Sequence, residues 1–195
     1  GPDVNREPAG GVRVFGVEAR EEMSAAAHSI AQPRWRELVT RNTSPRVKPL
    51  TWIILHHTGG REPGDLATLL GQTKRKVSAD FYINREGAVY KLNPQLSQRY
   101  TWHAGKSLWQ GVWDVNRFSL GIEMEHRPGE NWPEAQVEAC AHLCAWLIKR
   151  YDLGLDDAPI QSHRAVAWYR GRKTDPEGFP WKSFSTRVRW WMGGR

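Results

Sequence analysis

Apolar runs along the chain predict strands separated by turns and helices. The continuous run at 50–55 contains β-branched residues and predicts a strand buried on both faces, with His56 at its carboxyl end. Positions 119–124 alternate in polarity and predict a second strand. The segments 81–84 and 88–92 flank a turn that contains glycine, and they predict a β-hairpin.

Helical periodicity is strongest after Pro133, where apolar positions recur to about Tyr151. Asp65 is a candidate N-cap for a shorter helix. Further helical or loop segments are predicted at 20–41, interrupted at Pro33, at 65–73, at 162–179 and at 181–192.

This alternation of strands and helices favours an α/β fold with a central mixed β-sheet flanked by helices. At 195 residues the chain fits a single domain with a full core. We expect residues 50–195 to form that domain, and residues 1–49 to form an N-terminal extension of loops and one or two short helices. Gly1 and Pro2 resemble the remnant of a cleaved tag.

The net charge favours polyanionic partners but does not identify one. The 28 basic and 21 acidic residues give a net charge of +7, which favours a polyanion such as an acidic cell wall. No basic run is interleaved with a recognisable nucleic-acid motif, so we expect no nucleic-acid partner. No stretch approaches the roughly 18–20 apolar residues of a membrane span, and no apolar leader is visible. We therefore expect synthesis in the cytoplasm and no membrane insertion.

The two cysteines lie on one face of the predicted helix after Pro133. Cys140 and Cys144 are four residues apart, and His142 between them points away from their face. Free cysteines are commonly buried as small apolar groups, so we interpret both as core thiols and predict no disulfide.

Candidate chemistry rests on a dispersed triplet, His56, His163 and Asp175. Two imidazoles and one carboxylate match a zinc site that keeps a fourth position for water, as in metallohydrolases. Spacing alone is a weak signal, because a chain with seven histidines offers many such combinations.

The segments around this triplet carry a more specific signal, because five of them occur in a recognisable order. They resemble the motifs of the zinc-dependent N-acetylmuramoyl-L-alanine amidases, the family that also contains phage T7-type lysozymes and peptidoglycan recognition proteins. The segments are 53–58 (IILHHT), 77–87 (VSADFYINREG), 102–107 (WHAGKS), 116–125 (NRFSLGIEME) and 162–176 (SHRAVAWYRGRKTDP).

The resemblance implies hydrolysis of the amide between N-acetylmuramic acid and the L-alanine of the stem peptide. It also implies Zn²⁺ as cofactor, with His56, His163 and Asp175 as metal ligands. His57 is then a neighbour of the site, because adjacent strand residues point to opposite faces.

Two further residues take catalytic roles by the same resemblance. Glu123 is the candidate general base, and Glu125 is its competitor because it would share the same strand face. Lys173 would place a cation near the developing oxyanion, although a surface lysine in a basic loop is the alternative.

Substrate contacts are expected from loops around the cleft. His103 and Asn116 occupy family positions near the substrate groove, with a structural hydrogen bond as the alternative for each. Trp102 and Trp168, together with Trp109 and Trp113, fall in loops where aromatic faces can stack on sugar rings.

Departures from the family pattern concern the substrate. Ala79, Glu123 and Asp175 together resemble the recycling-amidase branch of the family. However, Asp80 replaces the usual histidine, and the stretch from His163 to Asp175 is longer than in that branch. Trp168 and Tyr169 lie in the extra length.

We therefore expect a monomeric peptidoglycan amidase, with a phage or prophage endolysin as the first interpretation. A cytoplasmic recycling amidase acting on anhydro-muropeptides is the alternative within the same class. A non-catalytic peptidoglycan-binding module is the alternative from a different class, and the complete set of three ligand types disfavours it.

Overall fold

The structure is a computed structural model that describes residues 6–14, 30–154, 158–169 and 171–194. A six-stranded mixed sheet forms its centre. Its strands are β1 (Arg36–Glu37), β3 (Trp52–His57), β4 (Phe81–Ile83), β5 (Val89–Lys91), β9 (Ser119–Met124) and β10 (Ile160–Ser162). Their order across the sheet is β1-β5-β4-β9-β3-β10, in which β4 and β5 pair antiparallel and the other neighbours are parallel.

Two small antiparallel pairs lie outside this sheet. They are β2 (Thr43–Pro45) with β6 (Arg99–Thr101), and β7 (Leu108–Trp109) with β8 (Val112–Trp113). The helices are α1 (Gly64–Leu69), α2 (Glu134–Tyr151), α3 (His163–Val166) and α4 (Trp181–Trp191), with a 3₁₀ helix at Val115–Phe118.

The main core lies between the sheet and the two long helices. Side chains of β3, β4 and β9 pack there against the apolar faces of α2 and α4. Cys140 and Cys144 are fully buried in this core and free, as expected from their shared helical face. The expected α/β class with a central mixed sheet is confirmed.

The predicted strands and helices are confirmed where one face of the element is buried, because the apolar residues then recur with a single period. The strand at 119–124 and the helix from Glu134 to Tyr151 have the predicted positions, and the hairpin turns at Gly87, whose φ is 86°. The predicted N-cap is wrong. Pro63 precedes α1, while Asp65 lies in its first turn and accepts hydrogen bonds from Thr58 and Tyr82.

Much of the expected extension is packed against the domain. Residues 20–29 of the predicted helical stretch lie outside the described residues. The described part at 30–41 is not helical, because Leu38 and Thr40 donate their N–H groups to the carbonyls of Lys91 and Leu92 at the sheet edge. Val12 forms a bridge to Ile160 at the opposite edge. The boundary at residue 50 stays a prediction.

None of the helices in the described ranges combines the length and apolarity that a membrane crossing requires.

Candidate active site

Three chain segments meet at the carboxyl end of the parallel strands β3, β9 and β10. His56 is near the end of β3, and β10 runs beside it with Ser162 opposite Leu55, so that His163 follows next to His56. Ser162 caps α3 by accepting a hydrogen bond from the N–H of Ala165, which fixes His163 in the first turn. Asp175 comes from the loop between α3 and α4.

The side chains of His56, His163 and Asp175 form a compact triangle. His56 Nδ1 is 3.0 Å from His163 Nδ1 and 3.2 Å from Asp175 Oδ2, and the third side, His163 Nδ1 to Asp175 Oδ2, is 3.1 Å. Ligand atoms about 2.0–2.1 Å from a tetrahedral zinc lie about 3.3 Å apart. All three residues are buried, so the donor set fits one zinc ion.

A chain of hydrogen bonds fixes the tautomer of His56. Its Nε2 is 2.9 Å from His103 Nδ1, and His103 Nε2 is 3.1 Å from Ser119 Oγ. Ser119 donates to the carbonyl of Val115, which can only accept, so Ser119 must accept from His103. His103 Nδ1 then accepts from His56 Nε2–H, which leaves the Nδ1 lone pair of His56 free for a metal.

His163 is oriented in the same way by a backbone group. Its Nε2 is 3.0 Å from the carbonyl oxygen of Ala104, which accepts the N–H and leaves Nδ1 free to coordinate. Asn116 supports this segment, because its Oδ1 accepts the N–H groups of His103 and Ala104. His103 and Asn116 are thus engaged in structural hydrogen bonds, the alternative that the sequence left open for both.

The electrostatics of the site favour a neutral His56 and a neutral His103 beside a charged Asp175. Burial, with help from the neighbouring His163, lowers the pKa of His56 to about 4. Burial also lowers the pKa of His103 well below its usual value. Burial alone would raise the pKa of Asp175, but hydrogen bonds and charge from His163 and His56 bring it far below its ordinary value. These are the protonation states that metal ligands need.

Glu123 lies beside the triangle. It pairs with His56 in the sheet register, and its Oε1 is 3.8 Å from His56 Nδ1. Its Oε2 is buried and accepts no hydrogen bond from any described residue. Burial, followed by the nearby carboxylates of Asp175 and Asp65, raises the pKa of Glu123 well above its ordinary value. An unengaged carboxyl with a raised pKa is suited to accept and return a proton.

Both carboxylate oxygens of Glu125, the other candidate for the general base, accept backbone hydrogen bonds. Its Oε2 accepts the N–H of Glu62 at 2.8 Å, and its Oε1 accepts the N–H of Arg85 at 3.0 Å. His57 also faces away from the triangle, since its Nδ1 accepts the N–H of Glu177. Of the two carboxylates, Glu123 is therefore the one that lies beside the triangle and keeps an oxygen without a hydrogen-bond partner among the described residues.

Two open grooves meet at the site. One, of about 340 Å³, is lined by Glu123, His163 and Arg75, and the other, of about 940 Å³, is lined by Arg164 and Trp109. Lys173 and Asp175 line both grooves. Trp102 is half-buried and donates to Ser44, whereas Trp168 is exposed.

Sequence reasoning missed Ser119 and the carbonyl of Ala104, which orient the two histidines. Neither carried a signal, because each acts through a contact between distant segments. It also missed the role of Asp80, which accepts hydrogen bonds from Asn93, Thr101 and the N–H of Gly121. Its replacement of the usual histidine was visible, but its partners were not.

Comparison with known proteins decides the family. A family model described as N-acetylmuramoyl-L-alanine amidase matches residues 46–178, about two thirds of the chain. The chain belongs to the N-acetylmuramoyl-L-alanine amidase family. The expected class of enzyme, a zinc-dependent amidase, is confirmed by this membership together with the ligand triangle.

Two curated relatives of the amidase are informative. The 1,6-anhydro-N-acetylmuramyl-L-alanine amidase AmpD of Enterobacter cloacae is 34% identical over 134 residues, which are 68% of each chain. The N-acetylmuramoyl-L-alanine amidase AmiD of Escherichia coli is 28% identical over 202 residues, covering 88% of this chain and 69% of the relative.

Solved structures share the fold of the amidase. A selenomethionine derivative of AmpD matches with a TM-score of 0.70 and 25% identity, covering 81% of this chain and 96% of that one. AmiD from E. coli in complex with anhydro-N-acetylmuramic acid-L-Ala-D-gamma-Glu-L-Lys matches with a TM-score of 0.62 and 25% identity, covering 74% of this chain and 60% of that one.

Proposed function

We propose that the protein hydrolyses the amide between the lactyl group of N-acetylmuramic acid and L-alanine, with zinc held by His56, His163 and Asp175. The supporting observation is the buried triangle of ligand atoms with sides of 3.0 to 3.2 Å, in which both histidines are held with Nδ1 free. Zinc, when bound, polarises the scissile carbonyl and makes water acidic enough to act as a nucleophile near neutral pH.

Glu123 serves as the general base in this proposal. It takes a proton from the attacking water and passes it to the nitrogen of L-alanine, because an amide anion is too poor a leaving group. Its position beside His56 and its unengaged Oε2 support that role. Its side chain is only 14% exposed where it lines the smaller groove, which limits the bulk water that would compete for the proton.

Lys173 supplies positive charge at the site in this proposal. It lines both grooves together with Asp175, where a substrate carbonyl would gain negative charge during attack. The ligands, base and cation together favour a catalyst over a non-catalytic binding module, since binding alone needs no base beside the metal ligands.

The relatives favour the anhydro-muropeptide interpretation over the endolysin that the sequence first suggested. AmpD, whose name specifies the 1,6-anhydro substrate, is the relative with 34% identity. We propose an anhydro-muropeptide as the preferred substrate. We also propose that the amidase acts as a monomer without a nucleic-acid partner, which sedimentation velocity and a DNA-binding titration would check.

A direct test uses the zinc-loaded protein and two substrates, anhydro-N-acetylmuramyl tripeptide and purified sacculi. Mass spectrometry should detect free peptides that begin with L-alanine, faster from the anhydro substrate, and a chelator should stop their release until zinc is restored. Absence of such peptides from both substrates at full zinc occupancy would refute the activity. Faster release from sacculi would restore the endolysin interpretation.

A further inference from the structure

Arg46 directly follows β2 and is half-buried, and its side chain joins two distant stretches of backbone. Its guanidinium donates to four carbonyl oxygens, those of Leu96 at 3.0 Å, Arg117 at 2.9 Å, Ser119 at 3.1 Å and Arg99 at 3.4 Å. A planar fork of five N–H donors suits several carbonyls at once. Arg46 therefore fixes backbone at the start of β9 to the backbone that leads into β6.

Asp80 holds the same part of β9 through a second contact. It is fully buried directly before β4, and its Oδ2 accepts the N–H of Gly121 at 2.8 Å. Its Oδ1 accepts from the side chain of Asn93 at 2.8 Å, and Asn93 also donates to the carbonyl of Arg99, one of the four acceptors of Arg46. A cation and a carboxylate that share one hydrogen-bond network thus hold the start of β9.

The start of β9 is also the surface that holds His103. Ser119 Oγ is 3.1 Å from His103 Nε2, and a Cβ added to Gly121 would overlap the ring of His103. His103 in turn accepts the N–H of His56 Nε2 at 2.9 Å. A shift of Ser119 by about 0.5 Å away from the ring would lengthen its contact beyond hydrogen-bond distance. The tautomer of His56 therefore depends on where the backbone of β9 begins.

The side chain of Arg99 provides a comparison from the same region. It is also half-buried, and it donates to Thr43 Oγ1 at 2.7 Å and to the carbonyl of Thr43 at 3.2 Å. These contacts join β2 to β6, and neither of them is with β9. Arg46 and Arg99 thus both connect segments around β6, but only Arg46 binds the backbone of the residue that accepts from His103.

We propose that Arg46 and Asp80 are positioning residues for the metal centre. By holding the start of β9 they keep His103 within hydrogen-bond distance of His56, whose Nδ1 then stays free for the metal. This inference rests on the zinc site of the proposed function. It also gives a role to Asp80, which stands where the family usually has a histidine.

The affinity for zinc, measured by competition with a chromophoric chelator, tests this role without turnover. Arg46→Met and Asp80→Asn should each raise the dissociation constant by about fivefold to tenfold, because each acts through intervening residues. Arg46→Lys should recover part of the loss, since an ammonium group keeps the charge but not the fork of donors. Arg99→Met is the matched control, which should lower the midpoint of unfolding and leave the zinc affinity within about twofold of wild type.

A double-mutant cycle tests whether Arg46 acts through His103. In a His103→Leu background, Arg46→Met should weaken zinc binding by less than about twofold further, because the contact that it supports is already lost. Circular dichroism verifies that each variant is folded. If Arg46→Met does not fold, Asp80→Asn and Arg46→Lys carry the same comparison.

Three results would overturn the inference. They are a zinc affinity within about twofold of wild type in folded Arg46→Met or Asp80→Asn, an equal loss in Arg99→Met, and a fully additive loss in the double variant. Failure of the proposed function is distinct, because wild type would then bind zinc without releasing peptides that begin with L-alanine.

Discussion

Replacing His103 should weaken zinc binding although His103 is not a ligand. In His103→Leu the N–H at Nε2 of His56 loses its acceptor inside a fully buried site. A buried polar group left unsatisfied costs about 1–3 kcal/mol. The ring can also adopt the other tautomer, in which Nδ1 carries the proton and cannot coordinate.

The size of the effect follows from both costs. An orienting partner of a metal-bound histidine is typically worth 10–100-fold in affinity, which is about 1.4–2.8 kcal/mol. The two magnitudes agree, so we expect the dissociation constant for zinc to rise by about 10–100-fold in His103→Leu. His103→Gln should lose much less, because its amide can accept from His56 and donate to Ser119.

Competition with a chromophoric chelator measures this affinity directly, and circular dichroism verifies that each variant is folded. His142→Leu is the matched control. His142 hydrogen-bonds to the carbonyl of Ala31 and stacks on Trp191, and neither partner belongs to the ligand triangle. A zinc affinity in His103→Leu within about twofold of wild type would refute the orienting role. So would equal losses in the Leu and Gln variants.

Three further predictions concern the base, the packing and the pH dependence. Glu123→Gln should lower kcat by at least about 100-fold in peptide-release assays while zinc affinity changes little. Gly121→Ala should destabilise the fold by about 1–3 kcal/mol in urea denaturation and weaken zinc binding, because its Cβ would lie within 2.7 Å of three ring atoms of His103. The pKa of buried His126 is lowered to about 4 by burial, so its stabilising contribution is complete above about pH 6.5 and declines as pH falls towards 4. Between pH 7 and pH 5 the free energy of unfolding should fall by about 2 kcal/mol less in His126→Phe than in wild type. Phenylalanine at this position keeps the stack on Trp132.

Each of these has a contrary outcome. Normal turnover in Glu123→Gln would move the proton transfer to another group. Gly121→Ala with wild-type zinc affinity would show that the ring of His103 can shift without consequence. The same loss of stability between pH 7 and pH 5 in wild type and His126→Phe would show that His126 takes up its proton over the same pH range in the folded and unfolded chains.

The sequence predicts the sheet and helices where one period is enforced by burial on a defined face. The strand at 119–124 and the helix α2 are of this kind. It fails at the edges, where tertiary hydrogen bonds decide: residues 36–37 form a strand because β5 offers them an open edge. The carboxylate of Asp65 accepts hydrogen bonds from the distant side chains of Thr58 and Tyr82 instead of capping its helix.

The site shows the same division. His56, His163 and Asp175 could be proposed from local motifs, because each lies in a distinctive segment. The relay through His103 and Ser119 could not, since it depends on how the loop that carries His103 meets the start of β9 beside β3. The contrast between Glu123 and Glu125 could not be predicted either, because Glu123 lies in β9, Glu125 directly follows it, and only their partners in the fold distinguish them.

The register of β3 and β10 has a consequence for assembly of the protein. His56 and His163 are 107 residues apart in the chain and become neighbours only when the last strand of the sheet docks. Free zinc therefore stabilises the complete sheet by mass action, because it binds much more weakly to a chain in which β10 is detached. Zinc occupancy should thus report on completion of folding, and protection of the C-terminal third from proteolysis should rise with zinc concentration.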